Sequence, residues 1–492
     1  MSVNRLHTTD FVEILQELNE RSKEPLKETV ELPLSTKINQ VQPEPAPQQA
    51  PAQPDMGDLH ARCHDSYKYI SQRLIMPERD IKFGERHRLP LSENGIEYMI
   101  TADESYNSVL LLTHLAMCIP RATVLYRGMP GTGKTSIAEL VSETLLGVPL
   151  TEIQEATIYG NPEHTTSELL AYMDTAALIK EGKEVIHPRK FMTSRVHMVD
   201  EVNRLSPGKL SIIYQTVDRG FATLKGERID STPGPFFGTA NYKDSGNFEM
   251  PPSFLDRFHV ALTSYTLNPA MIGVAPALGE PQSLSEAEIN YIHSEVASLA
   301  WSESVSPLVM YFFMEVNACW RASEDAERKT KAQMTQKPPS ICTDCHYYTD
   351  KAICNKTAEG ISVRAYNSVL SFSKAMAWWR GNGEITREDV EAVIPYVFAH
   401  RLAPTSCASQ EHQRDSVSFI RELFASARTA YENAAMICPI ISELPHIAAS
   451  VYAGTPSVTA QQLDAALNDV KKLQTPAKFA IAVALYDLKQ RL

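Results

Sequence analysis

The sequence predicts an α/β core built on a parallel β-sheet and followed by an all-helical second half. Between residues 60 and 265, short apolar runs alternate with amphipathic stretches, which is typical of a parallel sheet covered by helices on both faces. From Ser283 onward the strand-like runs fade and helical periodicity continues to the C terminus. One glycine-rich loop lies between an apolar run and a helix, where phosphate-binding loops occur.

The individual core elements follow from the length and periodicity of each apolar segment. Helices are predicted over 105–118, 135–146 and 209–219, and strands over 122–126, 196–199 and 235–240. The strand segments are short and mostly apolar, whereas the helical segments are longer and repeat their apolar residues with helical spacing. Four further helices are predicted over 419–430, 437–453, 459–473 and 476–492, each from an apolar stripe.

Length and composition limit the class of protein. A chain of 492 residues suggests two to four domains, and 43% apolar with 22% charged residues is an ordinary globular balance. The net charge of −12 argues against a general affinity for nucleic acid. No apolar run approaches the length of a membrane span, and the polar start is not a secretory signal. Eight cysteines are too few for a disulfide scaffold, so we expect a cytoplasmic protein.

The first 60 residues differ in composition from the rest. Phe11, Ile14, Leu15 and Leu18 have helical spacing, which predicts a short amphipathic helix in segment 1–30. This helix is either a docking peptide or a tail with a chance apolar stripe. The proline- and glutamine-rich segment 31–60 is predicted to be an extended linker. The α/β core then spans 61–265, a helical region spans 266–405 with a cysteine-containing insertion at about 322–360, and a C-terminal helical region spans 406–492.

The glycine-rich loop fits the P-loop pattern G-x-x-x-x-G-K-[ST]. It runs from Gly128 to Thr135, after a predicted strand and at the start of a predicted helix. Its backbone N–H groups can surround phosphate oxygens, Lys134 can reach the β- and γ-phosphates, and the Thr135 hydroxyl can bind Mg²⁺. The predicted nucleotide-binding residues are Gly128, Pro130, Gly131, Thr132, Gly133, Lys134, Thr135, Ser136 and Asp200.

Four polar residues that follow predicted strands or turns are candidates for hydrolysis. Asp200 and Glu201 end a mostly apolar run, where Asp200 can hold Mg²⁺ with Thr135 and Glu201 can polarise the attacking water. Asn241 ends the next predicted strand, and it either orients that water or caps a turn. Arg257 lies between Asp256 and Phe258, and it either forms a local salt bridge or serves as an arginine finger in a neighbouring subunit.

These motifs together resemble the MoxR branch of the AAA+ ATPases. The motifs are GMPGTGKT (128–135), DEVNR (200–204), GTAN (238–241) and LDRF (255–258). The segment that begins with Ser362-Val363-Arg364 and continues through 384–402 looks like the lid of that family. The resemblance covers about 95–265 and 283–405. It implies an AAA+ P-loop parallel-sheet core with an all-helical lid and extra C-terminal helices, and it implies that Arg364 contacts the γ-phosphate in cis.

The resemblance also implies how such a protein works. Members of the branch hydrolyse ATP with Mg²⁺ in homo-oligomeric rings, usually hexamers, and act as chaperones or remodellers of a protein client. Their common partner carries a von Willebrand factor A domain. Two inserted β-hairpins would face the pore of the ring, and the segments 159–189 and 223–232 are the candidates here. A nucleic-acid-directed motor, a chelatase-type motor subunit and a nucleotide-controlled scaffold remain alternatives.

A cluster of cysteines lies outside the family pattern. Cys342, Cys345 and Cys354, with His346, have the spacing of soft metal ligands, and Zn²⁺ is the first expectation. Cys319 is an alternative fourth ligand. An iron–sulfur cluster, or no metal at all, remains open. Three other thiols, those of Cys118, Cys407 and Cys438, lie in apolar helical segments and are expected in the core.

Overall fold

The computed structural model describes residues 55–74, 79–90, 97–241, 248–264, 279–319, 342, 345–347, 352–405 and 415–492. The strands are β1 (Ile81–Pro90), β2 (Glu97–Tyr106), β3 (Thr123–Gly128), β4 (Ile158–Tyr159), β5 (Ala171–Met173), β6 (Ile186–Pro188), β7 (His197–Asp200), β8 (Phe221–Leu224), β9 (Glu227–Asp230), β10 (Phe236–Asn241) and β11 (Val260–Thr263). The predicted amphipathic helix in 1–30, residues 31–54 of the predicted linker and Cys407 lie outside the described residues. The end of the predicted linker differs from expectation, because a helix already begins at Met56.

The helices of the α/β core are α1 (Met56–Leu74), α2 (Ser108–Met117), α3 (Lys134–Leu146), α4 (Leu150–Ala156), α5 (Thr166–Leu169), α6 (Thr175–Glu181), α7 (Lys190–Thr193), α8 (Pro207–Arg219) and α9 (Pro252–Leu255). The later helices are α10 (Glu286–Ser298), α11 (Val305–Asn317), α12 (Val363–Trp379), α13 (Arg387–Phe398), α14 (Ser416–Ile437), α15 (Ile440–Tyr452), α16 (Ala460–Val470) and α17 (Ala477–Arg491). Short 3₁₀ turns lie at Val202–Arg204 and Ile353–Asn355.

A five-stranded sheet in the order β11–β3–β10–β7–β4 forms the centre of the core, and all its neighbouring pairs are parallel. This confirms the predicted parallel sheet. The carboxyl ends of β3, β7 and β10 meet at one edge, because Gly128 pairs with Asn241 and Val199 pairs with Gly238. The P-loop, Asp200 and Asn241 therefore reach the same edge of the sheet.

Alternate residues of each strand pack on opposite faces of this sheet. Val124 and Tyr126 join the core formed with α1, α2 and α3, whereas Leu125 joins the core formed with α8. In β10, Phe237 joins the first of these two cores and Phe236 joins the second. Because both faces are covered, the strands read as nearly continuous apolar runs in the sequence.

The predicted helix over 105–118 starts three residues later than expected. Ser105 and Tyr106 are the last residues of β2, which pairs antiparallel with β1. Asn107 ends the strand because its side chain accepts a hydrogen bond from the N–H of Leu110 and so caps α2. The apolar stripe predicts the helix itself, whereas the residue at which it begins depends on this N-cap.

The two segments proposed as hairpin insertions both contain antiparallel strand pairs. β5 pairs with β6 inside 159–189, and β8 pairs with β9 around 223–232. Helix α6 lies between β5 and β6, and its Ile179 is 83% exposed. The first insertion therefore presents an apolar side chain to its surroundings.

The C-terminal residues fold as helices α14–α17, as predicted. Ile441, Leu463 and Ile481 of three of these helices share a core with Tyr311 of α11, so this module packs on the helical region before it. The thiols of Cys118 and Cys438 are buried, which agrees with their expected place in the core. In the described part of the chain no single helix is long and apolar enough to cross a membrane; α14 and α15 meet that test only as a pair bent by 82°.

We predict that Gly160→Ala destabilises the fold at the end of β4. A Cβ at Gly160 would lie 2.1 Å from the carbonyl oxygen of Glu201, and backbone atoms cannot move away cheaply. The free energy of unfolding should fall by about 1–3 kcal/mol. Thermal unfolding of Gly208→Ala is the control, because a Cβ at Gly208, inside α8, meets no atom within 4 Å. Equal melting temperatures for the two variants would contradict the close approach at Gly160.

Candidate active site

The P-loop has the backbone geometry of an anion cradle. Gly131 and Gly133 have φ angles of 77° and 74°, which favour glycine. A Cβ at either position would meet nothing within 4 Å, so open space lies in front of the loop. Helix α3 begins directly after Gly133, and the positive end of its dipole faces that space. The loop therefore fits the phosphates of a nucleotide.

Lys134 connects this loop to the neighbouring strand. Its ammonium donates to the carbonyl oxygens of Gly128 at 3.1 Å and Met129 at 2.8 Å, and to Oδ1 of Asn241 at 2.8 Å. Burial lowers the pKa of Lys134, while the nearby carboxylates of Asp200 and Glu201 act in the opposite direction. The charged side chain is thus held at the edge of the sheet where the phosphates would lie.

Asp200 has the surroundings expected of a magnesium ligand. The Thr135 hydroxyl donates to Oδ1 of Asp200 at 2.9 Å, and the Thr239 hydroxyl donates to the same oxygen. A hydroxyl and a carboxylate are hard oxygen donors of the kind that Mg²⁺ binds in nucleotide sites. Thr135 and Asp200, the two residues predicted to hold Mg²⁺, are brought together and fit this ion.

Glu201 is held from three sides. Its backbone lies in the left-handed region with φ of 53°, and its N–H donates to the Thr239 hydroxyl at 2.9 Å. Oε1 accepts a hydrogen bond from Nδ2 of Asn241 at 2.6 Å, and Oε2 forms an ion pair with Nε of Arg204 at 3.0 Å. A strained backbone that the surroundings hold in place is common at functional sites. Both carboxylate oxygens therefore have defined partners.

The side chains form a continuous polar chain from the P-loop outwards. Lys134 donates to Asn241, Asn241 donates to Glu201, and Glu201 pairs with Arg204. Asn203 fixes the centre of this chain because its amide donates to the carbonyl oxygen of Asn241 at 3.1 Å. A phosphate that attracts Lys134 would release one contact of Asn241 and so act on Glu201 indirectly.

Arg257 and Arg364 lie away from the P-loop, Arg257 in the turn after α9 and Arg364 at the start of α12. Both form ion pairs with Asp218 of α8, Arg257 through Nη1 and Arg364 through Nη2, the latter at 3.7 Å. Arg364 is also 3.7 Å from Asp256. They line a polar cavity of about 610 Å³, which we call the arginine cavity. Its charged lining residues are Arg121, Arg219, Arg257, Arg364, Asp218 and Asp256.

The arginine cavity lies at the opposite edge of the sheet from the P-loop, whereas the cis role implied for Arg364 needs the two close together. Pro120 and Thr123 also line the cavity, so it lies at the amino end of β3, whereas the P-loop follows the carboxyl end. At about 3.3 Å per residue, the six residues of β3 separate the two ends by roughly 17 Å. The structure therefore does not bring Arg364 to the P-loop of its own subunit.

The anchoring of the lid explains this arrangement. Ser362, the N-cap of α12, donates to Asp256 at 2.6 Å. Arg401 lies after α13 and is 4% exposed; it forms an ion pair with Asp256 at 3.1 Å and donates to the carbonyl oxygens of Phe258 and His259. Burial lowers the pKa of Arg401 to about 10, although Asp256 favours the charged form. These contacts hold the start of α12 at the amino edge of the sheet.

The cysteine cluster does not form the expected metal site. Within the described residues, which include Cys342, Cys345, His346 and Cys354, no group of three or more His, Cys, Asp or Glu side chains is placed to hold a metal ion. Cys342 and Cys345 share a turn in which the Cys345 N–H donates to the Cys342 carbonyl at 3.1 Å. The ring of His346 lies 5.1 Å from that of Tyr347. The expected zinc and iron–sulfur sites are therefore unsupported.

Sequence reasoning missed several residues of the site. Thr239 lies inside the GTAN motif, and its polar side chain within an apolar strand was an available signal. Ser264 bonds Thr132 of the P-loop at 2.6 Å, and Asp218 binds both arginines. Neither Ser264 nor Asp218 had a local signal, because each partner lies far away in the sequence.

Comparisons with known proteins agree with this geometry. The model of an AAA domain of the dynein-related subfamily matches residues 123–258, and the model of an AAA lid domain matches residues 350–422. The uncharacterized protein YeaC of Bacillus subtilis is 20% identical over 356 residues, which are 70% of this chain and 97% of YeaC. A crystal structure described as a candidate ATPase from Cytophaga hutchinsonii shares the fold with a TM-score of 0.51 and 15% identity, and the match covers 75% of this chain and 96% of that one.

The sheet, the P-loop and the two domain matches together define the class of fold: the α/β core has an AAA+ fold. The lid domain that accompanies such cores follows it in the sequence.

We predict that Thr239→Val lowers ATP turnover about tenfold. The variant keeps the volume of the side chain but leaves the Glu201 N–H unpaired and removes a hydrogen bond to Asp200, and each such loss is worth about 1–3 kcal/mol. Steady-state kinetics with Mg-ATP measure the effect. Thr239→Ser keeps the hydroxyl and is the matched control; turnover equal to that of the control would contradict this role.

Proposed function

We propose that the protein is a MoxR-like AAA+ ATPase that hydrolyses ATP in a homo-oligomeric ring, a hexamer by resemblance to the MoxR branch, and remodels a protein client. The observation that carries this proposal is the separation of the P-loop from the arginine cavity. The catalytic glutamate and the two arginines lie at opposite edges of one sheet. Arg257 and Arg364 would reach the phosphates from a second subunit, as head-to-tail contacts in a ring allow.

The proposed reaction is hydrolysis of the γ-phosphate of ATP. The backbone of the P-loop and Lys134 hold the phosphates. Glu201 accepts a proton from the attacking water, and Asn241 orients that water. The water oxygen bonds to the γ-phosphorus, the bond to the β–γ bridging oxygen breaks, and ADP and phosphate leave. Mg²⁺ at Thr135 and Asp200 would neutralise charge on the phosphates. Arg257 and Arg364 of the adjacent subunit stabilise the charge of the transition state.

The client-handling part of the proposal rests on the two hairpin insertions. Tyr172 of β5 is 40% exposed and Ile179 of α6 is 83% exposed, so the first insertion offers apolar side chains to a polypeptide. We place both insertions at the pore of the ring by resemblance to the MoxR branch. The proposal also includes a partner protein with a von Willebrand factor A domain. It places the ATPase itself in the cytoplasm.

We predict that two substitutions separate nucleotide binding from hydrolysis. Glu201→Gln removes the general base and should lower kcat by about 10²–10⁴ while ATP still binds. Lys134→Ala should abolish binding of ATP because the loop loses its ammonium. Fluorescent-nucleotide binding and steady-state kinetics measure the two effects. Unchanged turnover in Glu201→Gln would contradict the assigned base.

The Glu201→Gln variant also tests the biological role. Captured from its native lysate with ATP, it should retain a partner with a von Willebrand factor A domain, and Lys134→Ala should not. Recovery of nucleic acid with replication proteins would instead favour a nucleic-acid motor. Recovery of a metal-chelatase subunit would favour the chelatase-type alternative.

A mixing experiment tests the shared active site. Lys134→Ala subunits cannot use their own P-loop but keep their arginines, and Arg257→Ala subunits have the opposite defect. Each variant alone should be inactive, whereas a one-to-one mixture should recover roughly a quarter of the wild-type activity, because that share of ring interfaces combines two intact halves. A mixture as inactive as its components would contradict a shared site.

A further inference from the structure

Asp218 occupies a central place in the arginine cavity. It is the second-last residue of α8, and its side chain is 23% exposed. One of its oxygens, Oδ2, pairs with both Arg257 and Arg364, the second at 3.7 Å. These two arginines come from separate elements, the turn after α9 and the start of α12. Asp218 is therefore a bridge between core and lid.

The other aspartate of the cavity has a different set of contacts. Asp256 binds Arg401 at 3.1 Å and Ser362 at 2.6 Å, and these contacts anchor the lid. Asp256 also lies 3.7 Å from Arg364. Asp256 is close to Arg257 because the two residues are adjacent in the chain. Asp218 thus supplies the carboxylate that joins Arg257 to Arg364 across the cavity.

Local helix energetics do not account for an aspartate at this position. The C-terminal end of a helix carries partial negative charge, which disfavours an acidic side chain there. Arg219 follows Asp218 as the last residue of α8 and suits that end of the helix. The unfavourable position of Asp218 is offset by its two guanidinium partners, since ion pairs with arginine are among the stronger polar contacts.

The charges of the cavity show what its carboxylate does. Arg121, Arg219, Arg257 and Arg364 line the cavity with Asp218 and Asp256, so cationic side chains outnumber anionic ones. Two guanidinium groups that approach one phosphate repel each other unless an anion lies between them. Asp218 supplies such an anion from helix α8, because its Oδ2 pairs with both guanidinium groups.

We propose that Asp218 is a positioning residue for the active site of the neighbouring subunit. It holds Arg257 and Arg364 together at the orientation needed for the γ-phosphate of the ATP bound next door. This inference rests on the proposed function, because it assumes that both arginines act on a neighbour. Misplacement of a catalytic group by about 1 Å can cost up to roughly 10²-fold in rate, so a positioning residue matters for turnover.

The test compares Asp218→Asn with Asp469→Asn. Asp469 is also the second-last residue of its helix and pairs with a cation, Lys472, at 2.7 Å, but it lies in the C-terminal module. Asp218→Asn should lower kcat tenfold or more while the Kd for ATP at its own P-loop stays within twofold of wild type. Asp469→Asn should leave both constants unchanged. A kcat for Asp218→Asn within twofold of that control would overturn the inference.

A trans readout separates positioning from a loss of structure. Mixed with Lys134→Ala subunits, Asp218→Asn subunits should regain activity, because Lys134→Ala supplies intact Asp218, Arg257 and Arg364 to their P-loops. No recovery in this mixture would overturn the inference. Asp218→Glu keeps the carboxylate and should have a kcat between those of wild type and Asp218→Asn; a kcat below that of Asp218→Asn would also overturn it.

The Arg257→Ala mixture distinguishes this inference from the proposed function. If Arg257→Ala and Lys134→Ala fail to complement each other, the proposal of a site shared between subunits is wrong. The positioning role of Asp218 is then wrong as well. If they do complement while Asp218→Asn behaves like Asp469→Asn, the shared site stands and only the positioning role is lost.

Discussion

Parallel strands place all their carboxyl ends at one edge of a sheet and all their amino ends at the other, and this constraint organises the whole site. The carboxyl edge collects the P-loop, Asp200, Glu201 and Asn241, because β3, β7 and β10 are neighbours. The amino edge collects Arg257 and Arg364 around Asp218. The residues of the proposed nucleotide site therefore lie at two ends of the same subunit.

The lid maintains this division. Arg401 and Ser362 both bind Asp256, so the start of α12 is fixed beside the turn that carries Arg257. A change in the position of the lid must therefore move Arg364 relative to the core. At the other edge, the polar chain from Lys134 through Asn241 connects the P-loop to Glu201. A ring that joins these edges links the state of one nucleotide to the lid of the next subunit.

Contiguous motifs allowed the sequence to predict the carboxyl edge. The P-loop, Asp200-Glu201 and Asn241 each follow an apolar run, and the parallel sheet brings such positions together. Thr239 was missed although it lies in the same motif as Asn241. The contacts at the amino edge could not be predicted from the sequence, because Asp218 meets Arg257 and Arg364 only through the tertiary fold. For the same reason the position of Arg364 at the amino edge was not foreseeable, since the contacts of Arg401 and Ser362 decide where the lid lies.

The cysteines illustrate a different limit. Their spacing suited a metal, but spacing within a loop does not determine whether side chains converge. Hairpins within the two insertions, in contrast, were identified correctly from resemblance, because β5–β6 and β8–β9 are local pairs. Local pairing and strand order are thus the features that carry over from sequence, and long-range polar contacts are those that require the structure.

A structure of the Glu201→Gln variant with Mg-ATP tests the central claim most directly. Our account predicts a ring in which Arg257 and Arg364 of one subunit contact the γ-phosphate held by the P-loop of the next. A nucleotide contacted by Arg364 of the same subunit that supplies Lys134 would contradict it.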